Sequence, residues 1–352
     1  MSQYTRRRLV TTGIGLTTIG GLAGCTSGNA GSDDSIEAEP EAQSSFFVFG
    51  DFATHVAGDA ATAETLVPIG QHGHGWEPGP DIQGTILESD LFVYGTEGFQ
   101  PWVGDLVTSL RDDGADVEMV PVGEAVDPIE EGHDHGGEDD HENENEHDHN
   151  DHENENEHDH NDHENENEHD HNDHGAMDPH FWLDPQRVAQ AVDTLEATFA
   201  EVDGENAEVY ADNAAAYRDQ LEELDGDIQS IVDDAPKDTL FVAGHDAFQY
   251  LEDRYGLRVE SLTGLSPDDQ PTPRDIERAQ DIIDEHGLAH VCADPLEDQT
   301  AAEQLGEETD ATEVLPLTAI PGQTSEWADN NWGYIEIMEN INLDTLETAL
   351  NA

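Results

Sequence analysis

The sequence predicts an α/β fold of two lobes, each with a mostly parallel sheet flanked by helices, joined by one long α-helix. Three observations predict it. Short apolar runs alternate with helical patterns over residues 44–122, the rhythm of βα units. The same rhythm returns after residue 235. Between them Ala207, Tyr210, Ala214, Tyr217, Leu221, Leu224, Ile228 and Ile231 recur at three- and four-residue spacing, one narrow apolar stripe on a single helix. At 1.5 Å per residue that helix reaches roughly 40 Å, the height of a lobe.

In chain order, residues 1–25 read as an export signal. Thr5-Arg6-Arg7-Arg8-Leu9 precedes an apolar run at 10–22 that is too short and too weakly apolar for a membrane span. Arg6-Arg7 resembles a twin-arginine signal, and Leu22-Ala23-Gly24-Cys25 resembles a lipobox, which would leave Cys25 carrying a lipid anchor. The expected location is therefore outside the cell membrane, tethered to its outer face. Residues 26–43 are small, polar and acidic, the composition of a flexible spacer.

The N-terminal lobe is expected at 44–204, with strands at 46–49, 66–67, 91–94 and 117–120. Helices are expected at 52–56, 80–87, 101–111 and 186–202. After residue 122 the pattern stops until 177, too long for a loop of a compact domain unless it is a disordered or functional insertion. This loop, 123–177, is rich in His, Asp, Glu and Asn, and repeats His-Glu-Asn-Glu-Asn-Glu-His-Asp-His-Asn-Asp at 141–151, 152–162 and 163–173. The linking helix spans 205–234, where Gly226 would mark a bend.

The C-terminal lobe, 235–352, should place strands at 240–243, 259–262, 289–292 and 314–317. Its helix at 273–285 opens with Thr272 as N-cap and Pro273 at the first position. Further helices are expected at 301–308 and 332–350, the last broken at Asn342. Cys292 lies in an apolar run that reads as a buried strand; Cys25 is the only other cysteine, so no intramolecular disulfide is expected.

Composition excludes one class of partner. Of 352 residues, 83 are acidic and 11 basic, a net charge of −72, so phosphate-mediated nucleic-acid binding is disfavoured. The partners should be cations or proteins. Acid-rich, lysine-poor segments continue outside the repeats, as in proteins that work in molar salt, where a Debye length of roughly 3 Å screens self-repulsion.

Imidazole is the commonest protein ligand for zinc, and most of the 19 histidines stand in or just before the repeats. Three others fall at loop positions beside predicted strand ends: His74 in Gly73-His74-Gly75-Trp76-Glu77-Pro78, His180 in Asp178-Pro179-His180-Phe181-Trp182-Leu183-Asp184-Pro185, and His245 in Gly244-His245-Asp246-Ala247-Phe248. Together these motifs resemble those of the zinc/manganese-type solute-binding proteins of ABC importers, from about residue 46 to 350. The resemblance implies two α/β lobes bridged by a long helix, with an acidic His-rich insertion of variable length before the second motif. It also implies His74, His180 and His245 as metal ligands in the cleft between lobes.

The implied function is a monomeric extracytoplasmic receptor that captures Zn²⁺ and delivers it to an ABC permease and its ATPase. Three neutral imidazoles leave one tetrahedral position to a carboxylate or water, and favour Zn²⁺ over the alternative Mn²⁺. Some relatives supply an aspartate after the last strand. Here that loop reads Leu317-Thr318-Ala319-Ile320-Pro321-Gly322, so Glu326, Asp329 or water is the expected fourth ligand.

Several histidines have competing readings. His72 would compete with His74, and His55 is structural. His286 and His290 are spaced like a helical metal pair, but Gly287 should splay them. His-Asp-His clusters in the repeats offer loose, exchangeable metal sites. Capture needs deprotonated imidazoles, so affinity is expected to fall as pH drops through about 6.5. The rival functions are an extracellular metal buffer and a zinc-dependent hydrolase, for which no His-Glu-x-x-His motif appears.

Overall fold

Two four-stranded sheets, each entirely parallel and each with the same strand order, carry the chain. The computed structural model describes residues 39–351 except 97, 128, 130–177, 266–268 and 312. The export signal, Cys25, residues 26–38 of the spacer and the repeats at 141–173 lie outside the described residues.

The first sheet holds β1 (Glu41–Ser44), β2 (Thr62–Thr65), β3 (Leu91–Tyr94) and β4 (Glu118–Pro121) in the order β2-β1-β3-β4. The second repeats it with β5 (Thr239–Val242), β6 (Arg258–Ser261), β7 (His290–Ala293) and β8 (Glu313–Pro316), ordered β6-β5-β7-β8. Alternation along each strand sends neighbouring side chains to opposite faces. Leu91 and Val93 enter one core, while Phe92 and Tyr94 enter another with α2 (Ile82–Glu88) and α3 (Pro101–Asp113). In the second lobe Leu240 and Val242 face the shared core. Phe241 and Ala243 face α7 (Pro273–His286) and α8 (Thr300–Glu308).

The shared core joins the lobes. Phe49 and Phe52 of α1 (Phe47–Ala57) and Val188 and Leu195 of α4 (Pro185–Val202) belong to one cluster with Tyr217 and Leu221 of α5 (Ala207–Asp234) and Leu240 across the second sheet. The stripe on α5 buries Tyr210, Ala214, Tyr217, Leu221, Leu224 and Ile228. Burial of each large side chain contributes about 1.5–3 kcal/mol, so the helix is held by tertiary packing rather than by propensity. Asp51 of α1 adds polar ties, accepting hydrogen bonds from Tyr217 Oη (3.3 Å) and the backbone of Tyr334 (3.1 Å).

Six details differ from the sequence reading, the first being that the strand expected at 66–67 is β2, which lies just before it at Thr62–Thr65. The strand expected at 46–49 is the start of α1, because Val48, Phe49, Phe52, Ala53 and Val56 repeat at helical spacing. The strand itself is β1, whose first three residues fall in the stretch read as spacer. Its Ala42, Gln43 and Ser44 are buried without being strongly apolar, since β1 is central and flanked on both edges. Order also continues past residue 122, where Gly123–Glu124 turn and Val126 is buried. Gly226 marks no interruption, and α5 runs unbroken.

The helix expected to break at Asn342 does not. After α6 (Gln249–Tyr255) and α9 (Ser325–Asp329), the chain runs from α10 (Tyr334–Ile337) through a π-helical turn at Met338–Leu343 into α11 (Asp344–Asn351). The wide turn swings the buried Asn342 onto Thr318, accepting from its N–H and donating to its carbonyl at 2.9 Å each. The N-cap at Thr272, with Pro273 in the first turn and Gly287 left-handed at the end, forms as the sequence suggested, and Asp275 completes a capping box.

Candidate metal centre

His74 follows β2, His180 follows β4 across the insertion, His245 follows β5, and Glu297 follows β7. All four stand beyond the carboxyl ends of parallel strands. In the second sheet the chain leaves β5 toward one face and β7 toward the other, opening the crevice where such sheets bind ligands. His245 and Glu297 meet there.

His180 Nε2 lies 3.2 Å from His74 Nε2 and 3.4 Å from His245 Nε2. Nitrogens bound to one tetrahedral zinc at 2.0–2.1 Å would stand about 3.3–3.4 Å apart. The other nitrogens explain the arrangement. His180 Nδ1 is 2.7 Å from Asp178 Oδ1, and His245 Nδ1 is 2.5 Å from Glu297 Oε1. A carboxylate holds the proton on each Nδ1, so both Nε2 atoms present lone pairs to the same point. Facing lone pairs repel unless a cation sits between them.

Electrostatics agree with that reading. Burial, then the charges of neighbouring histidines, pushes His74 and His180 well below the usual histidine value, so both are neutral and ready to ligate. Burial pushes Asp178 up to about 7. Burial also works upward on Glu297, but the hydrogen bond from His245 and the nearby His72 ring outweigh it and bring that carboxyl to about 2.

Close backbone contacts fix the loops. A Cβ on Gly73 would fall 2.3 Å from the Phe46 ring and 2.7 Å from the Pro321 carbonyl; one on Gly322 would fall 2.3 Å from the Gln71 carbonyl. Only glycine lets these two loops touch, and Gly73 N–H donates to Pro321 O at 2.8 Å. Trp182, fully buried beside His180, donates to Ala319 O at 2.7 Å. The loop at 317–322, lacking a carboxylate, thus buttresses both the His74 and the His180 segments.

His74, His180 and His245 form one group whose ligand atoms lie within 4.8 Å of one another, and His72, His245 and Glu297 form a second. Glu326 and Asp329 belong to neither group; both are exposed on α9. His55 stacks on Tyr217 at 4.1 Å and faces Asp51 at 3.7 Å, a structural position. His286 ends α7 while His290 opens β7, separated by the left-handed Gly287, and they too join neither group.

A family model described as the periplasmic component A of the zinc-uptake complex, ZnuA, matches residues 43–349. The chain belongs to the ZnuA family. It is 31% identical over 331 residues to the high-affinity zinc uptake system protein ZnuA of Bacillus subtilis, covering 94% of this chain and 93% of that one. It is 28% identical to the zinc-binding lipoprotein AdcA of Streptococcus pneumoniae over 86% of this chain, and spans 54% of AdcA's length. Among solved structures, the metal-dependent lipoprotein YcdH of B. subtilis aligns with a TM-score of 0.67 at 26% identity, covering 88% of this chain and 99% of that one. The Zn(II)-bound ZnuA-like domain of S. pneumoniae AdcA shares the fold at a TM-score of 0.67 and 24% identity, over 90% of this chain and all of that one.

In this ZnuA-family chain the residue missed by sequence reasoning is Glu297. It stands in the loop after β7, Asp294-Pro295-Leu296-Glu297, rather than in the loop after β8. Its signal was an acidic residue beyond a buried central strand. Gly244 was a second clue: a Cβ there would fall 2.6 Å from Glu297 Oε2, so the glycine before His245 admits the carboxylate.

Proposed function

We propose that this chain is an extracytoplasmic receptor that captures Zn²⁺ through His74, His180 and His245 and delivers it to an ABC-type permease, tethered outside the membrane through Cys25. The observation that carries the reading is the approach of His74 Nε2 and His245 Nε2 to His180 Nε2 at zinc-like spacing, with two of the rings held by carboxylates behind them. Membership of the ZnuA family and the zinc-uptake names of its relatives support it. Three imidazoles favour Zn²⁺ over Mn²⁺, which prefers more oxygen ligands.

Capture fits this geometry better than hydrolysis does. His74, His180 and His245 face one another in a largely buried cluster, and the carboxylates in contact with these rings hold Nδ1 protons rather than a position from which to activate water. The test is zinc titration of the full chain and of His180→Ala, with pulldown of the permease from membranes that contain the transporter. The reading expects one tight zinc site lost in the variant, and a metal-dependent permease complex. A variant that keeps the tight site would contradict it.

A further inference from the structure

His72 and Glu297 are not needed to complete the buried set, yet they are arranged as ligands. His72 Nε2 is buried without a hydrogen-bond partner. It lies 3.6 Å from Glu297 Oε1, too far for a hydrogen bond but close to the edge of about 3.3–3.5 Å that one tetrahedral zinc imposes on a nitrogen and an oxygen ligand. His245 completes this second group. We propose that His72, Glu297 and His245 Nδ1 form an outer zinc station, from which the ion passes to His74, His180 and His245 Nε2. The inference rests on the receptor reading above.

Position supports a route from outer to inner. A cavity of about 880 Å³ is lined by His72, His245 and Glu297, but not by His74 or His180. His180 is fully buried, so an ion entering from the cavity meets the outer group first. Glu297 lines the same cavity and offers a carboxylate oxygen to an entering cation.

The shared ring makes the stations exclusive. A neutral imidazole has one lone pair, so His245 binds metal through Nδ1 or through Nε2, never both. On the outer station its proton sits on Nε2. On transfer, Nδ1 releases the metal and regains a proton while Nε2 loses one and takes the ion, leaving net protonation unchanged. Glu297 then returns to its hydrogen bond with Nδ1–H. His72 likewise gives up only the long 3.4 Å contact from the His74 N–H when its proton moves to Nδ1. Because the two lone pairs of the ring point apart, the ion breaks its bond to Nδ1 before it forms the one to Nε2.

Two measurements on the full chain test this. In crystals of His180→Ala soaked with zinc, an anomalous zinc peak should stand between His72, Glu297 and His245, and the same peak is expected in His74→Ala should the first variant fail to fold. In stopped-flow mixing with zinc, His72→Ala should capture the ion about tenfold more slowly than the wild type, and release it to a chelator correspondingly slowly. No peak at that position under saturating zinc, or capture by His72→Ala at the wild-type rate, overturns the proposal. A wild-type chain without any tight zinc site sinks the receptor reading itself, a result visible before any variant is made.

Discussion

Asp178 Oδ1 accepts two hydrogen bonds from one residue, His180: the backbone N–H at 2.9 Å and the ring Nδ1–H at 2.7 Å. The carboxylate therefore sets both where the loop begins and which nitrogen the ring offers. It stands where the insertion rejoins the fold: Asp178 N–H donates to Ile129 O at 3.1 Å, and Tyr250 Oη donates to Asp178 O at 3.0 Å. The insertion at 130–177 is thus closed at its neck, one turn of chain from a ligand.

Asp178→Asn keeps the size of the side chain but weakens its hold on the His180 proton. Loss of such an outer partner typically costs about 10–100-fold in metal affinity, and that is the expected loss here. Competition with a zinc chelator measures it, and thermal unfolding of the metal-free variant separates the effect from misfolding.

The pH profile should depart from that of a simple histidine site. His74 and His180 are already neutral well below 6.5, so their protonation does not weaken binding near that value. Asp178 adds a titration of its own, at about 7 without metal. Zinc held by His180 favours the ionised carboxylate, so binding below about pH 7 displaces one proton from it, and affinity falls by up to about tenfold per pH unit. Above that value the term vanishes. Calorimetry in buffers of different ionisation enthalpy should find this proton at about pH 6 and not at about pH 8.

Gly73→Ala should damage stability and affinity together. The added methyl meets the Phe46 ring and the Pro321 carbonyl, neither of which is the free end of a flexible chain. An expected cost of about 1–3 kcal/mol follows from overpacking, read by denaturant unfolding, and the displaced His74 should weaken zinc binding in the same variant. Normal stability with normal affinity would show that the two loops need not touch.

How legible all this was depends on which residues carry the signal. The βα rhythm, the stripe on α5 and the cap at Thr272 are local patterns, and each formed within a few residues of its expected place. β1 escaped because a central strand can be buried with Gln43 and Ser44 in it, while the apolar run beside it belonged to a helix. The three histidine motifs were visible as motifs, and the fold brings all three rings together. Glu297 shows only a local hint, an acidic residue beyond a buried strand, because its partnership with His245 spans 52 residues and depends on the strand order that sets β5 beside β7. The depressed titration of His74 and His180 likewise needs burial, which no motif displays.

On the proposed reading the fold, and not the repeated histidine tract, holds the tight site. Zinc titration of a chain in which residues 130–177 are replaced by a short linker between Ile129 and Asp178 tests it most directly. One tight site per molecule should survive, with only weak, multiple binding lost. If tight binding disappears with the tract while the protein stays folded, then His74, His180 and His245 are not the site.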